Sequence, residues 1–303
     1  MAANYTSHPR PPLRELLTHL LEPWQFMALS LSYLPGTITP LLKSHSLRTL
    51  LSFQSLQPLW FARFWSYVGP QVRTASGPRV TPLLSGLVSG GTILTSSTDS
   101  TTPGIGGVIL EIGPGSGMMV SLLSPPKDSK DQDQPASSAG HRSRITHIYG
   151  VEPNPSVHAA LRSEIAAAGL QETYEIVPLG IQDALATGRI PEASVDCIVS
   201  ILCLCSIPDP AENIAQIYRT LKPGGRWYVY EHVRAFREQG WGMNLYQAFV
   251  NLFWPHCIGG CNIRRDTLSH LKAAGPWSKF DLVQPPQEPW YFTLPHVYGI
   301  LTK

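Results

Sequence analysis

The run Val108-Ile109-Leu110-Glu111-Ile112-Gly113-Pro114-Gly115-Ser116-Gly117 constrains this chain more than any other stretch. A short apolar segment with the character of a buried strand runs into three glycines at alternate positions, and a helix is expected from Ser116 to Leu123. Glycine suits such a junction: it adopts left-handed backbone geometry, lets a ligand approach the main chain closely, and exposes the donating amides of a helix start. A strand that ends in this way opens the first βα unit of a nucleotide-binding sheet.

Downstream, strand-like and helix-like runs alternate. HIYGVE (147–152), a helix from Pro155 to Ala168, YEIVPL (174–179), CIVSIL (197–202), a helix from Ala211 to Leu221 and RWYVYEHV (226–233) follow in order. Short Val/Ile/Tyr-rich strands separated by helices imply parallel βαβ units covered on both faces. The predicted fold class is therefore α/β, a Rossmann-like doubly wound sheet. Near the C-terminus, FDLVQPPQEPWYFTLPHVYGILTK carries two strand-like runs about a Pro-rich connection, predicting an antiparallel hairpin on the sheet edge.

At 303 residues the chain is long for one domain and short for two. Residues 1–73 are read as an N-terminal helical segment rich in Leu, Trp, Phe and Tyr, including Trp24, Trp60, Phe64 and Trp65. That mixture suits helices lying in the headgroup region of a membrane, and equally a lid packed on the core. Its longest apolar region, Leu17 to Leu42, is interrupted by His19, Glu22, Pro23, Gln25 and Pro35, short of the ~20 unbroken apolar residues that span a bilayer. Residues 74–104, rich in Ser, Thr and Gly, read as a connector, and 105–303 as the main domain. Within that domain SPPKDSKDQDQPASSAGHRSR (124–144) has almost nothing to bury and is expected to be a disordered insertion.

A net charge of +2 without any Lys/Arg block is too small to imply a nucleic-acid partner, and none is expected. Five cysteines, an odd number without disulfide-framework spacing, point to free thiols in a reducing compartment, and the first residues lack a secretory-signal layout. Charged residues amount to 15%, against about 25% in typical soluble domains, which hints at a surface that meets something apolar.

The glycine turn departs from the dinucleotide fingerprint G-x-G-x-x-G, because Met118 stands where the third glycine is needed. Glu111 just ahead of it would repel a pyrophosphate, whereas the cationic amino-acid end of S-adenosylmethionine is complementary to it. Glu152, at the tip of the second strand, suits the two ribose hydroxyls. Glu111 and Glu152 stand 41 residues apart, and setting aside the 21-residue polar stretch leaves 20, close to the ~20 expected for a ribose acid. Asp183, after the third strand, suits the adenine amino group or a helix N-cap, and Ser200 and Ile201 end the fourth strand beside the crevice. The candidate cofactor residues are thus Glu111, Gly113, Gly115, Ser116, Gly117, Glu152, Asp183, Ser200 and Ile201. An NAD-dependent oxidoreductase and a noncatalytic membrane adaptor remain as competing readings.

The ordered segments EIGPGSG, GVEPNP, SVDCIVSILCLCSIPDP and YRTLKPGGRWYVYEHV resemble class I methyltransferases. More closely, EHV (231–233), GCNIRRDT (260–267) and PHVYG (295–299) are similar to the methyltransferase-like-seven family of membrane-associated thiol methyltransferases. That resemblance implies S-adenosylmethionine as donor and small apolar thiols as acceptors. It also implies an N-terminal monotopic anchor on the cytoplasmic face of endoplasmic reticulum or lipid-droplet membranes. Pro114, the 124–144 insertion and the Ser/Thr-rich connector depart from the family pattern, and O- or C-methylation of a secondary metabolite stays open.

Methyl transfer from a sulfonium is an in-line displacement that mainly needs alignment and water exclusion. A thiol reacts as thiolate, whereas a hydroxyl wants a base, for which His232 is the best-placed candidate, a histidine satisfied within the core being the alternative. Trp241, Tyr246, Phe249, Phe253 and Trp254 wall an apolar acceptor pocket or pack the core. Cys197, Cys203, Cys205, Cys257 and Cys261 lack C-x-x-C spacing, so no metal is expected.

Overall fold

The computed structural model describes residues 11–95, 102–124 and 144–303. The polar insertion expected at 124–144, apart from its two end residues, lies outside the described residues, as does 96–101 of the connector. Four N-terminal helices come first: α1 (Leu13–Ser32), α2 (Leu34–Lys43), α3 (Leu47–Leu51) and α4 (Phe53–Leu84). A two-stranded ribbon, β1 (Val88–Ser89) and β2 (Thr92–Ile93), leads into the main sheet.

That sheet contains β3 (Gly107–Ile112), β4 (Ile145–Val151), β5 (Tyr174–Val177), β6 (Val195–Ile201), β7 (Leu221–His232), β8 (Lys279–Val283) and β9 (His296–Thr302), in the order β5-β4-β3-β6-β7-β9-β8. The first five pair in parallel, while β9 runs antiparallel to both β7 and β8. The C-terminal hairpin is at the edge as expected, with the later strand taking the inner position. Between the strands lie α5 (His158–Ala167), α6 (Ile181–Ala186), α7 (Pro210–Thr220), α8 (Gly240–Asn251), α9 (Trp254–Cys257) and α10 (Thr267–Ala273).

Strand alternation divides the core between two faces. Ile109, Ile148, Val199, Tyr228 and Tyr298 pack on one face, against Val80, Leu83 and Leu84 of α4 and Leu161 of α5. Leu110, Ile198, Trp227, Val229 and Val297 pack on the other, against Ile214 and Ile217 of α7. A third cluster joins Met27, Phe64 and Val68 of the N-terminal helices to Val250, Trp254, Ile258 and Ile263.

Two expectations give way here. The boundary at 73/74 falls inside α4, which continues as a helix to Leu84 through Pro78 and Pro82. Gly77 and the prolines read locally as breakers, and an interior proline costs a helix ~3 kcal/mol. Fully buried Val80, Leu83 and Leu84 each contribute about 1.5–3 kcal/mol by leaving water, so tertiary packing overrides the local signal. The helix expected at 116–123 is a run of turns ending in a single 3-10 turn, Val120–Leu122. Gly113, Gly115 and Gly117 take φ of 62°, 58° and 89°, and three left-handed residues in alternation cannot begin an α-helix.

Candidate active site

The strand order reverses between β3 and β6, and there a doubly wound sheet opens a crevice at the carboxyl ends of its strands. A cavity of about 710 Å³ occupies this position. It runs from the glycine turn and the end of β4, past the end of β6, to His232 at the end of β7. The helical segment covers it: Phe26 of α1 and Phe61, Trp65, Ser76 and Arg79 of α4 form its outer wall.

At one end Gly113, Pro114 and Gly115 present main chain to the cavity. A Cβ at Gly113 would stand 2.8 Å from the Cβ of Cys203, so packing alone forbids a side chain there. At Gly115 a Cβ would point toward the Trp65 ring at 3.7 Å, into the space between turn and α4. The Gly115 amide donates to Glu152 Oε2 at 2.9 Å, and the Asn154 amide donates to Oε1 at 2.8 Å. Burial raises the Glu152 carboxyl above its ordinary range, and these two bonds oppose the shift. Gln182, the second residue of α6, also lines this end, and its buried Oε1 has no hydrogen-bond partner.

The fold separates the residues singled out in the sequence. Gly113, Gly115, Glu152 and Ile201 line the cavity; Glu111, Ser116, Gly117, Asp183 and Ser200 do not. Glu111 is buried within the sheet layer, where the Tyr174 hydroxyl donates to Oε2 at 2.5 Å and burial pushes its carboxyl up to about 7. Ser200 alternates with Ile201 onto the opposite sheet face and accepts the Trp227 indole N–H at 2.9 Å. Gly117 is held by packing, since a Cβ would come within 2.9 Å of Glu164. Ser116 is half-buried off the cavity wall, and Asp183 faces solvent one position beyond Gln182. Nothing in the composition of QDA distinguishes Gln182 from Asp183; the start of α6 at Ile181 decides it.

At the other end the walls are apolar: Phe292 and Leu294 from the segment before β9, Tyr230 from β7, and Trp254 and Ile258 around α9. Of the aromatic run after β7, only Trp254 reaches the cavity. Tyr246 instead accepts the Trp24 indole N–H at 2.9 Å, while Trp241, Phe249 and Phe253 are exposed. His232 does line the cavity, with Nδ1 3.9 Å from Cys261 Sγ. Glu231 turns to the opposite side, fully buried, and accepts the amides of Cys203 at 3.2 Å and Leu204 at 3.1 Å. Burial brings its carboxyl up to about 7. The cysteines, distant along the chain, are gathered by the fold: Cys205, His232 and Cys261 bring their donor atoms within 4.8 Å of one another.

The family described as "Methyltransferase domain" matches residues 98–274. Thiol S-methyltransferase TMT1B of Rattus norvegicus is 32% identical over 155 residues, covering 50% of this chain and 61% of that protein. Thiol S-methyltransferase TMT1A of Homo sapiens is 31% identical over 156 residues with the same coverage, 50% and 61%. The chain therefore matches less than two thirds of the length of these curated relatives. Among solved structures, an O-methyltransferase family protein from Burkholderia thailandensis superposes with a TM-score of 0.52 at 12% identity, covering 95% of this chain and 70% of that one. The trans-methyltransferase CalH, in complex with SAH, superposes with a TM-score of 0.50 at 13% identity, covering 97% and 93%. Such low identities speak for the fold alone. The domain match over more than half the chain, together with the glycine turn and its cavity, excludes the oxidoreductase reading: the chain belongs to the class I methyltransferases, enzymes whose cofactor is S-adenosylmethionine.

Proposed function

We propose that this enzyme methylates the sulfur of small apolar thiols at a membrane surface. The observation that carries the reading is the single cavity that joins the glycine turn and Glu152 to an apolar chamber beneath the N-terminal helices. Bound S-adenosylmethionine supplies a methyl group already activated by its sulfonium. Glu152 has its two oxygens fixed by main-chain amides and keeps spare lone pairs for the ribose hydroxyls. Gln182 Oε1, buried and unpartnered, takes the adenine amino group in place of the sequence candidate Asp183. Gly115 lets the main chain come close to the ligand. Phe61, Trp65 and Trp254 exclude water and align an apolar acceptor. A thiol needs little further help, and aromatic and aliphatic side chains make up much of the chamber wall.

The membrane half of the reading rests on two exposed stripes. Leu13, Leu17 and Leu21 repeat every fourth residue on α1, and Trp241, Leu245 and Phe249 do so on α8. Trp241 is 83% exposed and Leu13 70%. The two helices meet where Trp24 lies 5.6 Å from the Phe249 ring, and exposed apolar stripes of this kind seat in a lipid interface. No helix among the described residues is long and apolar enough to cross a membrane. The helical segment thus serves as cavity wall on one side and lipid contact on the other.

One observation favours a second reading: His232 on the cavity wall is a base within reach of a hydroxyl acceptor. A labelled-methyl transfer assay with liposomes, comparing apolar thiols with phenols, tests both. Turnover of thiols well above phenols is expected, and turnover of phenols alone would overturn the sulfur assignment.

A further inference from the structure

We infer that Cys205, His232 and Cys261 form a binding site for a soft divalent metal, zinc by its chemistry, whose open coordination position faces the acceptor chamber. The inference rests on the thiol reading above for the ligand that fills that position. The three donors come from three separate places: the turn after β6, the last residue of β7 and the loop after α9. All three line the cavity, with Cys205 and Cys261 almost wholly buried and His232 half-buried.

Their donor atoms lie within 4.8 Å of one another, and Cys261 Sγ is 3.9 Å from His232 Nδ1. Tetrahedral zinc, with bonds of ~2.3 Å to sulfur and ~2.0 Å to nitrogen, spaces such donors roughly 3.5–3.8 Å apart. The gap to close is therefore about 1.3 Å at most, within reach of small side-chain rotations. Two thiolates and one imidazole with a vacant fourth place make a donor set found in catalytic rather than structural zinc sites.

The surroundings hold the donors in place. The Asn262 amide donates to the Cys205 carbonyl at 2.9 Å, tying the two cysteine loops together. Arg265 Nε donates to the same carbonyl at 3.1 Å, and its Nη2 donates to the Ile207 carbonyl at 2.7 Å. Its half-buried guanidinium adds positive charge beside both sulfurs, which favours thiolates. Bonds to a metal form with the thiolates, so binding here releases the thiol protons to solvent. Two thiolates neutralise a divalent ion in this apolar chamber. A thiol acceptor entering the open position would form a metal–sulfur bond, displace bound water and give its S–H proton to bulk water, leaving a thiolate in the acceptor chamber. His232 is then a ligand and no longer a base, which sets the hydroxyl reading aside.

The protein, equilibrated with zinc and desalted, should retain one equivalent by elemental mass spectrometry. Cys205→Ser and Cys261→Ser should each lower this at least tenfold while S-adenosylmethionine binding, followed by calorimetry, persists as proof of folding. Cys257→Ser should keep its zinc. Because a cysteine variant can misfold, the unmodified chain is also loaded with cobalt(II), where thiolate charge-transfer bands and intense tetrahedral bands are expected to shift with benzyl mercaptan but not with benzyl alcohol. Zinc content equal in the wild type and a Cys205→Ser/Cys261→Ser chain, or a pale octahedral cobalt spectrum, overturns the site. Tight metal with no response to the thiol overturns its acceptor role. Failure of methyl transfer to thiols in the assay above leaves these metal readouts intact, so the two readings fail separately.

Discussion

At the end proposed for the cofactor the cavity is bounded by main chain and strand tips, at the end proposed for the acceptor by side chains from helices and loops far apart in sequence. Gly113, Gly115 and Glu152 hold their places through sheet register and amide bonds between neighbouring strands. The acceptor end depends on contacts such as Trp24 to Tyr246, 222 residues apart, and on Phe26 stacked against Trp254 at 5.7 Å. The first construction is held by the backbone; the second can change by replacement of wall residues without moving the glycine turn. If that division holds, substitutions at one end should leave binding at the other nearly untouched.

The largest effect should come from Glu152→Ala. It removes the proposed ribose contacts and strands the Gly115 and Asn154 amides, and bonds to charged groups are worth about 1.5–3 kcal/mol each. The dissociation constant for S-adenosylmethionine, measured by calorimetry, should rise about 100-fold or more. His232→Ala should leave that constant within about twofold; a comparable loss there would erase the division between the two ends.

Next is the buried Glu111, which stands behind the cofactor end. Its carboxyl titrates near 7 in the folded protein against 4.5 for the ordinary group, so the folded state binds more protons between these values. Stability from this group is present below pH 4.5 and is lost as pH rises through 7. Glu111→Gln keeps an acceptor for the Tyr174 hydroxyl and removes the titration. Relative to wild type, the variant should gain on the order of 2 kcal/mol in unfolding free energy between pH 5 and pH 8, read from ligand-free denaturation curves. Parallel wild-type and variant profiles would disprove the buried charge.

A smaller effect tests the outer face of the acceptor end. Trp241→Glu replaces an indole that is 83% exposed, so folding should be unchanged within about 0.5 kcal/mol. Partition onto liposomes, followed by flotation, should fall about tenfold, with the S-adenosylmethionine constant unaltered. Unchanged flotation would detach α8 from the membrane surface and leave contact to the N-terminal helices.

The same division explains what the sequence disclosed. Parallel strands with local helices and a glycine turn write themselves into contiguous segments, so the α/β sheet was legible from 105 onward, as was the register that aligns Glu152 with the turn. Choosing between Gln182 and Asp183, or Ser200 and Ile201, needed a helix start and a strand phase exact to one residue. The continuation of α4 through Pro78 and Pro82 was hidden because its stabilising partners, Ile109 and Tyr298 among them, lie on strands remote in sequence. The gathering of Cys205 and Cys261 was invisible for the same reason: their spacing along the chain carries no ligand pattern.

The smallest effect is the most direct probe of a replaceable acceptor wall. Leu294, half-buried before β9, meets the chamber beside Phe292. Leu294→Trp adds an aromatic ring to that wall without touching the glycine turn. Space is lost at the acceptor end, so a bulky thiol must pack against the new ring or sit further from the methyl group. The KM for a bulky apolar thiol should rise about fivefold, roughly 1 kcal/mol, while the KM for a two-carbon thiol and the S-adenosylmethionine constant stay within error. An equal rise for both thiols would mean that Leu294 acts through the backbone of β9 and not through the volume of the chamber, and the wall would then belong to the fold's core and not to acceptor choice.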